Sequence, residues 1–248
     1  MTRLALLFPL LLAACGWVDY DNLPEGEIQG TLLVMWVDEG SDDHGDGRFL
    51  FIPDPDDPLR LIRGAGATPT EIRPEMIYTD GGSIPKAAQL FRGFSPWGYA
   101  PAYMIHDWLF VARHCLTDAK SDSDIVLSDA KKSIEGMEFQ ESAEIIGEAI
   151  EALIASGKVR EDDRAPRVIA GAVAGPISYD RWHERGVCKD HEIDPEHLAE
   201  AQRRVPGSAP GALQRSKALT APGAGAIAGV AAIQSVRTTS QVVAKISF

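Results

Sequence analysis

The sequence is short of cations, of long apolar runs and of cysteine. Lysine and arginine total 24 against 36 aspartates and glutamates, so the net charge is -12. That deficit argues against nucleic acid as a partner and against electrostatic capture by anionic lipid. The apolar run near the N-terminus, Leu4 to Leu12, spans about nine residues, too short to cross a bilayer. Only three cysteines are present. No internal repeat is visible. The acidic stretch "EGSDDHGDG" lacks the spacing of a calcium-hand loop and reads as a solvated turn. Ser83 has no nucleophile-elbow motif around it. His114 lies eight residues beyond His106, not one helical turn, which weighs against a metal-dependent phosphohydrolase of the His-Asp type.

What is present suits one globular domain with a real core: 45% of residues are hydrophobic and 24% charged. The start, "MTRLALLFPLLLAACGW", combines Arg3, the short apolar run, small residues and Cys15. It resembles the bacterial lipoprotein signal, in which residues 1–14 are removed and Cys15 becomes the lipidated first residue. Acyl chains on Cys15 would hold the protein on a membrane. Gly16, rather than Asp, follows the cysteine, which by that resemblance implies the periplasmic face of the outer membrane. Cys115 and Cys188 then remain, either paired in an oxidising compartment or as two buried thiols.

Residues 15–29 read as a tether and 30–200 as the folded domain. "GTLLVMWV" and "RFLFI" favour strands in a small sheet or hairpins. From Pro101 a helix is expected through His106 to about Cys115. Ser128 or an upstream aspartate can cap a second helix running to about residue 140. "ESAEIIGEAIEALIAS" is amphipathic, with Gly157 as its stop, and Pro176 must kink or end the helix that opens near Pro166. Residues 201–248 read as a loose tail whose last residues, "SQVVAKISF", can add an edge strand. The expected class is α+β, mainly α: a small N-terminal β region, then an antiparallel helix pair and further helices.

Three pieces carry candidate chemistry: "YTDGGSIP" with Asp80, Gly81 and Ser83, the adjacent His106 and Asp107 in the apolar "YMIHDWLF", and Asp129 in "LSDAKKSI". Helices joined by a short connection usually pack antiparallel, so His106 and Asp129 are expected to face each other. Asp107, about 100 degrees round the helix, is expected to point toward the Asp80 loop. A histidine held by a buried aspartate is a good general base. Calcium takes carboxylate and carbonyl oxygens, which Asp80, Asp107 and the glycine-rich loop can offer. The bland alternatives are a buried polar network around His106, turn roles for Asp80 and Ser83, and a helix-start role for Asp129. His183 and His191 near Cys188 are weak evidence for zinc.

These motifs, "TDGGSIP", "YAPAYMIHDWLF" and "LSDAKKSI", resemble a bacterial and phage family catalogued as domain of unknown function 1353. They are also distantly similar to prokaryotic phospholipase A2 enzymes. The resemblance implies His106 as base, Asp129 as its partner, and Asp80, Gly81 and Asp107 as calcium ligands, acting on phospholipid. Two positions depart from the enzymes' pattern. Gly82 and Tyr103 stand where a disulfide joins the calcium loop to the helix. Phe110 stands where a tyrosine hydroxyl supports the catalytic network, and Tyr179 is a candidate substitute. The competing expectation is a non-catalytic envelope or prophage-derived module that keeps the fold.

Overall fold

The computed structural model describes residues 18–38, 47–82, 95, 97–160, 165–208 and 241–247. The leader and Cys15, Ser83 and most of the acidic stretch after residue 38 lie outside them. The fold is mixed α+β, with small antiparallel sheets beside six described α-helices. One sheet joins β1 (Glu27–Gln29), β4 (Arg60–Ile62) and β5 (Glu71–Ile72) in the order β1-β4-β5. The other has the order β6-β3-β2-β7, from β2 (Thr31–Asp38), β3 (Arg48–Pro53), β6 (Ile77–Thr79) and β7 (Gln241–Ser247). Its central strands are β-branched, aliphatic and aromatic, and both faces are covered. Leu32, Val34, Phe51 and Ile77 face the main core; Leu33, Met35, Leu50 and Ile52 face a second cluster with Ile193 and Ala201. This alternation follows from the two-residue side-chain period of a strand.

Helix α1 (Ala100–Asp118) begins with Pro101 in its first turn and is buried along most of its length. Helix α2 (Asp129–Ser133) has five residues, with the Ser128 hydroxyl accepting from the Lys131 amide as its cap. Helix α3 (Phe139–Ala155) packs on α1. It stops just before Gly157, whose φ of +71° suits glycine. Helix α4 (Ala165–Val173) ends ahead of Pro176, which opens α5 (Pro176–Trp182). Helix α6 (Pro195–Arg204) covers the second cluster. Among the described residues no helix is long and apolar enough to cross a membrane.

Three boundaries differ from expectation. The helix after α1 stops at Ser133 rather than near 140, and the helix packed on α1 is the later α3. The stretch read as a tether joins the fold early, since Tyr20 and Ile28 are buried and β1 is paired. The reason is local: Gly147 of α3 has no side chain, and Leu23 with Tyr20 fills that space. The tail boundary also differs, because α6 runs past residue 200, while the last residues form β7, paired with β2 as the expected edge strand.

Candidate functional site

The glycine-rich turn and α1 do meet. Thr79 ends β6, and the chain turns through Asp80 and Gly81, whose φ of +92° glycine adopts without strain. The Gly81 amide donates to Thr79 Oγ1 at 3.0 Å. The Thr79 hydroxyl in turn donates to Asp107 Oδ2 at 3.2 Å, with the Gly81 carbonyl farther off at 3.4 Å. Asp107 is half-buried in the second turn of α1, and Asp80 is exposed beside it. Burial, and then the like charge of Asp80, push the Asp107 carboxyl up to about 8, against the lowering effects of Thr79 and Arg181. Gly82 abuts the Tyr103 ring so closely that an added Cβ would lie 2.8 Å from it. Close packing of Gly82 on this ring thus joins loop and helix.

His106 is buried, and burial lowers its imidazole to about 4, so it is neutral at pH 7. Its Nδ1 is 4.0 Å from Asp107 Oδ1, beyond hydrogen-bond range. Its Nε2 is buried without a hydrogen-bond partner among the described residues. The Phe110 ring lies 4.9 Å from the imidazole in a tilted contact and 5.1 Å from Trp182 edge to face, so position 110 supplies ring packing and no hydroxyl. Tyr179 does not substitute for it. That ring is half-exposed and packs on Phe139 and His183.

Asp129 does not face His106. It is the first residue of α2, its side chain is fully exposed, and it pairs with Lys132 at 3.7 Å. The physical cause is the cap at Ser128. It starts the helix so that Lys131, not Asp129, turns inward, where Lys131 forms a partly buried ion pair with Glu75. Asp129 therefore has the helix-start role, and the expected His106–Asp129 dyad is not formed.

The last turns of α1 carry contacts that the spacing of the sequence hides. His114 Nε2 donates to the Arg181 carbonyl at 2.7 Å, so its Nδ1 accepts from His191 Nε2 at 2.9 Å. Burial, then His114, lower His191 to about 4. Cys115 and Cys188 form a disulfide, which removes Cys188 as a zinc ligand. Burial alone would raise Asp118, but amides of Gly186 and Cys188 hold it below the usual carboxylate range. Around the turn, Thr79 carries a contact to Asp107 that the motifs alone do not assign. Its signal was the threonine directly before Asp80 in "YTDGG".

Two carboxylates and a nearby carbonyl suit a hard cation. A cation would also offset the repulsion between Asp80 and Asp107, and these donors are of the oxygen type that calcium takes. Asp80, Asp107 and the Gly81 carbonyl would hold it. Among the described residues no group of three or more His, Cys, Asp or Glu converges, so the protein's charge at such a site is limited to the pair.

The raised Asp107 carboxyl gives a prediction of definite sign. A folded-state value above the unfolded one means stability is full below about pH 4 and is lost as pH rises toward about 8. A third of the side chain meets water, so screening trims the loss to roughly 1–2 kcal/mol. Without divalent cations, Asp107→Asn should therefore gain on the wild type between pH 5 and 8 in urea titrations. A constant difference across that range would remove Asp107 as the titrating group. No family model, curated protein or solved structure matches the chain.

Proposed function

We propose that this protein is a lipoprotein anchored through Cys15 at the periplasmic face of the outer membrane, and that it binds calcium through Asp80 and Asp107 as a non-catalytic envelope module. The leader motif supports the anchor. The convergence of the Asp80 turn on Asp107 supports the ion. A phospholipase A2-like helix pair is part of this proposal, with α3 rather than α2 as the main helix packed on the His106 helix. The observation that carries the non-catalytic half is the solvent-exposed Asp129, which leaves His106 without the carboxylate a general base needs. An imidazole near 4 is also a weak base at neutral pH.

One observation favours the other reading, a calcium-dependent acyl-ester hydrolase acting on phospholipid. His106 is neutral and its buried Nε2 has no partner among the described residues, as a base awaiting a water or substrate would. Phospholipid vesicles separate the two. Calcium should raise the melting temperature, because a ligand of the native state alone stabilises it. Asp107→Asn should abolish that rise, and fatty acid release should stay at the blank level with or without calcium. Release that requires calcium and disappears in His106→Gln would establish the hydrolase instead.

A further inference from the structure

In a chain of net charge -12, one cleft reverses the sign. A cavity of about 510 Å³ opens between the C-terminal half of α1, the turn after it and the segment from Trp182 to Lys189. That volume lies within the usual range of small-molecule sites. Its walls carry four cations, Arg113, Lys120, Arg185 and Lys189, against two carboxylates, Asp118 and Asp122.

Both carboxylates are already engaged. Asp118 accepts from the amides of Gly186 and Cys188 at 2.7 and 2.9 Å. Asp122 pairs with Lys189 at 2.8 Å, and Asp124 adds a second negative charge near that lysine. Lys189 is thereby neutralised. Lys120 and Arg185 form no ion pair among the described residues. Arg113 has one long hydrogen bond, 3.5 Å to the Glu135 carbonyl, and its guanidinium lies 5.6 Å from the centre of the buried Trp182 ring.

Basic residues at a helix C-terminus ordinarily complement the helix dipole. That explanation is incomplete here. The last carbonyls of α1 already accept from the amides of Ala119, Lys120, Ser121 and Asp122, and Arg185 comes from a different segment. The two walls are also fixed to each other. The Cys115–Cys188 disulfide, the Asp118 hydrogen bonds and the His114 bond to the Arg181 carbonyl all cross from α1 to the facing segment. A rigid frame holding cations on opposite sides is preorganised for an anion.

We propose that this cleft binds a phosphate group, gripped by Lys120 and Arg185 from opposite walls with Arg113 over the Trp182 floor. Guanidinium and ammonium groups are the usual partners of phosphate oxygens. The phosphate belongs either to a soluble ester or to the head group of an anionic lipid. The site is separate from the Asp80–Asp107 pair, and its test needs no calcium.

The full chain is titrated with inorganic phosphate in EDTA at low salt, in a calorimeter. Saturable binding is expected, weakened at least tenfold in Lys120→Ala/Arg185→Ala and unchanged in the surface control Lys132→Ala/Arg203→Ala. Both altered cations are exposed, so the melting temperature without phosphate should be unchanged. Co-sedimentation with phosphatidylglycerol vesicles identifies the source. Retention that phosphate competes away and the double variant loses assigns a lipid head group, whereas phosphate binding without such retention assigns a soluble ester. Absence of both phosphate binding and variant-sensitive retention, or equal weakening in the control, overturns the proposal.

Discussion

Replacing Glu148 by alanine should cost about 3–5 kcal/mol of folding stability, as expected for one partner removed from a buried ion pair. Glu148 is 1% exposed and accepts from Arg63 Nε at 3.0 Å and from the Gly64 amide at 2.7 Å. Arg63 is itself 5% exposed, and its other contact, Glu141 at 2.7 Å, is more open to water. Truncation would leave the guanidinium and an amide buried with too few acceptors. Gly26 also packs against the Glu148 side chain, so little room exists for the neighbours to shift. Urea denaturation of Glu148→Ala measures the loss, and Glu148→Gln, which keeps the shape and one acceptor oxygen, should lose distinctly less. A loss below about 1 kcal/mol for alanine would mean that the network is solvated.

The second large effect belongs to Cys115 and Cys188, which close a loop with a sequence separation of 73. Chain entropy alone assigns such a crosslink about 4 kcal/mol, because it restricts the unfolded chain. For a domain of this size that corresponds to a melting temperature lower by roughly 10 °C. Alanine is the right replacement at both positions, since both sulfurs are buried among apolar neighbours and serine would add an unsatisfied hydroxyl. The double variant, compared by calorimetry with the oxidised protein, checks this. A shift of only a few degrees would show that the hydrogen bonds of Asp118 already hold the two segments together. Added reductant should act slowly on the native protein, because neither sulfur is open to solvent.

Glu148 also shows where the sequence misleads. Glu141, Glu144, Glu148 and Glu151 recur at helical spacing and look like one solvated face of α3. Periodicity assigns a residue to a face, but not to what lies against that face. Here Arg63, which directly follows β4 and lies far away in the chain, pairs with Glu141 and Glu148 across two turns of it. The exposed position of Asp129 has a related cause. A short connection suggests that α1 pairs with the next helix, yet the five-residue α2 makes only a small contact with α1, and α3 is the main partner. What was legible depended on local chemistry. Pro101 and Pro176 open their helices, Ser128 caps, Gly157 follows a helix end, and the alternating residues of β2 and β3 make the central strands. The meeting of the Asp80 turn with Asp107 was legible because a 100-degree step round a helix is fixed geometry. The His114–His191 bond and the basic cleft were not, since both depend on how distant segments fold back onto α1.

The position of β7 has a consequence for handling the protein. β7 pairs with β2 from Thr31↔Ser247 to Trp36↔Gln241, yet it is reached only well after α6 ends at Arg204. A protease cut between the two would turn an intramolecular strand pairing into a two-piece complex that dilution can separate. Once β7 leaves, β2 becomes an open sheet edge, and the same segment of another copy is its natural replacement. Purification yields judged by mass alone would miss this, because a nicked sample and an intact one share the same sheet until they are diluted.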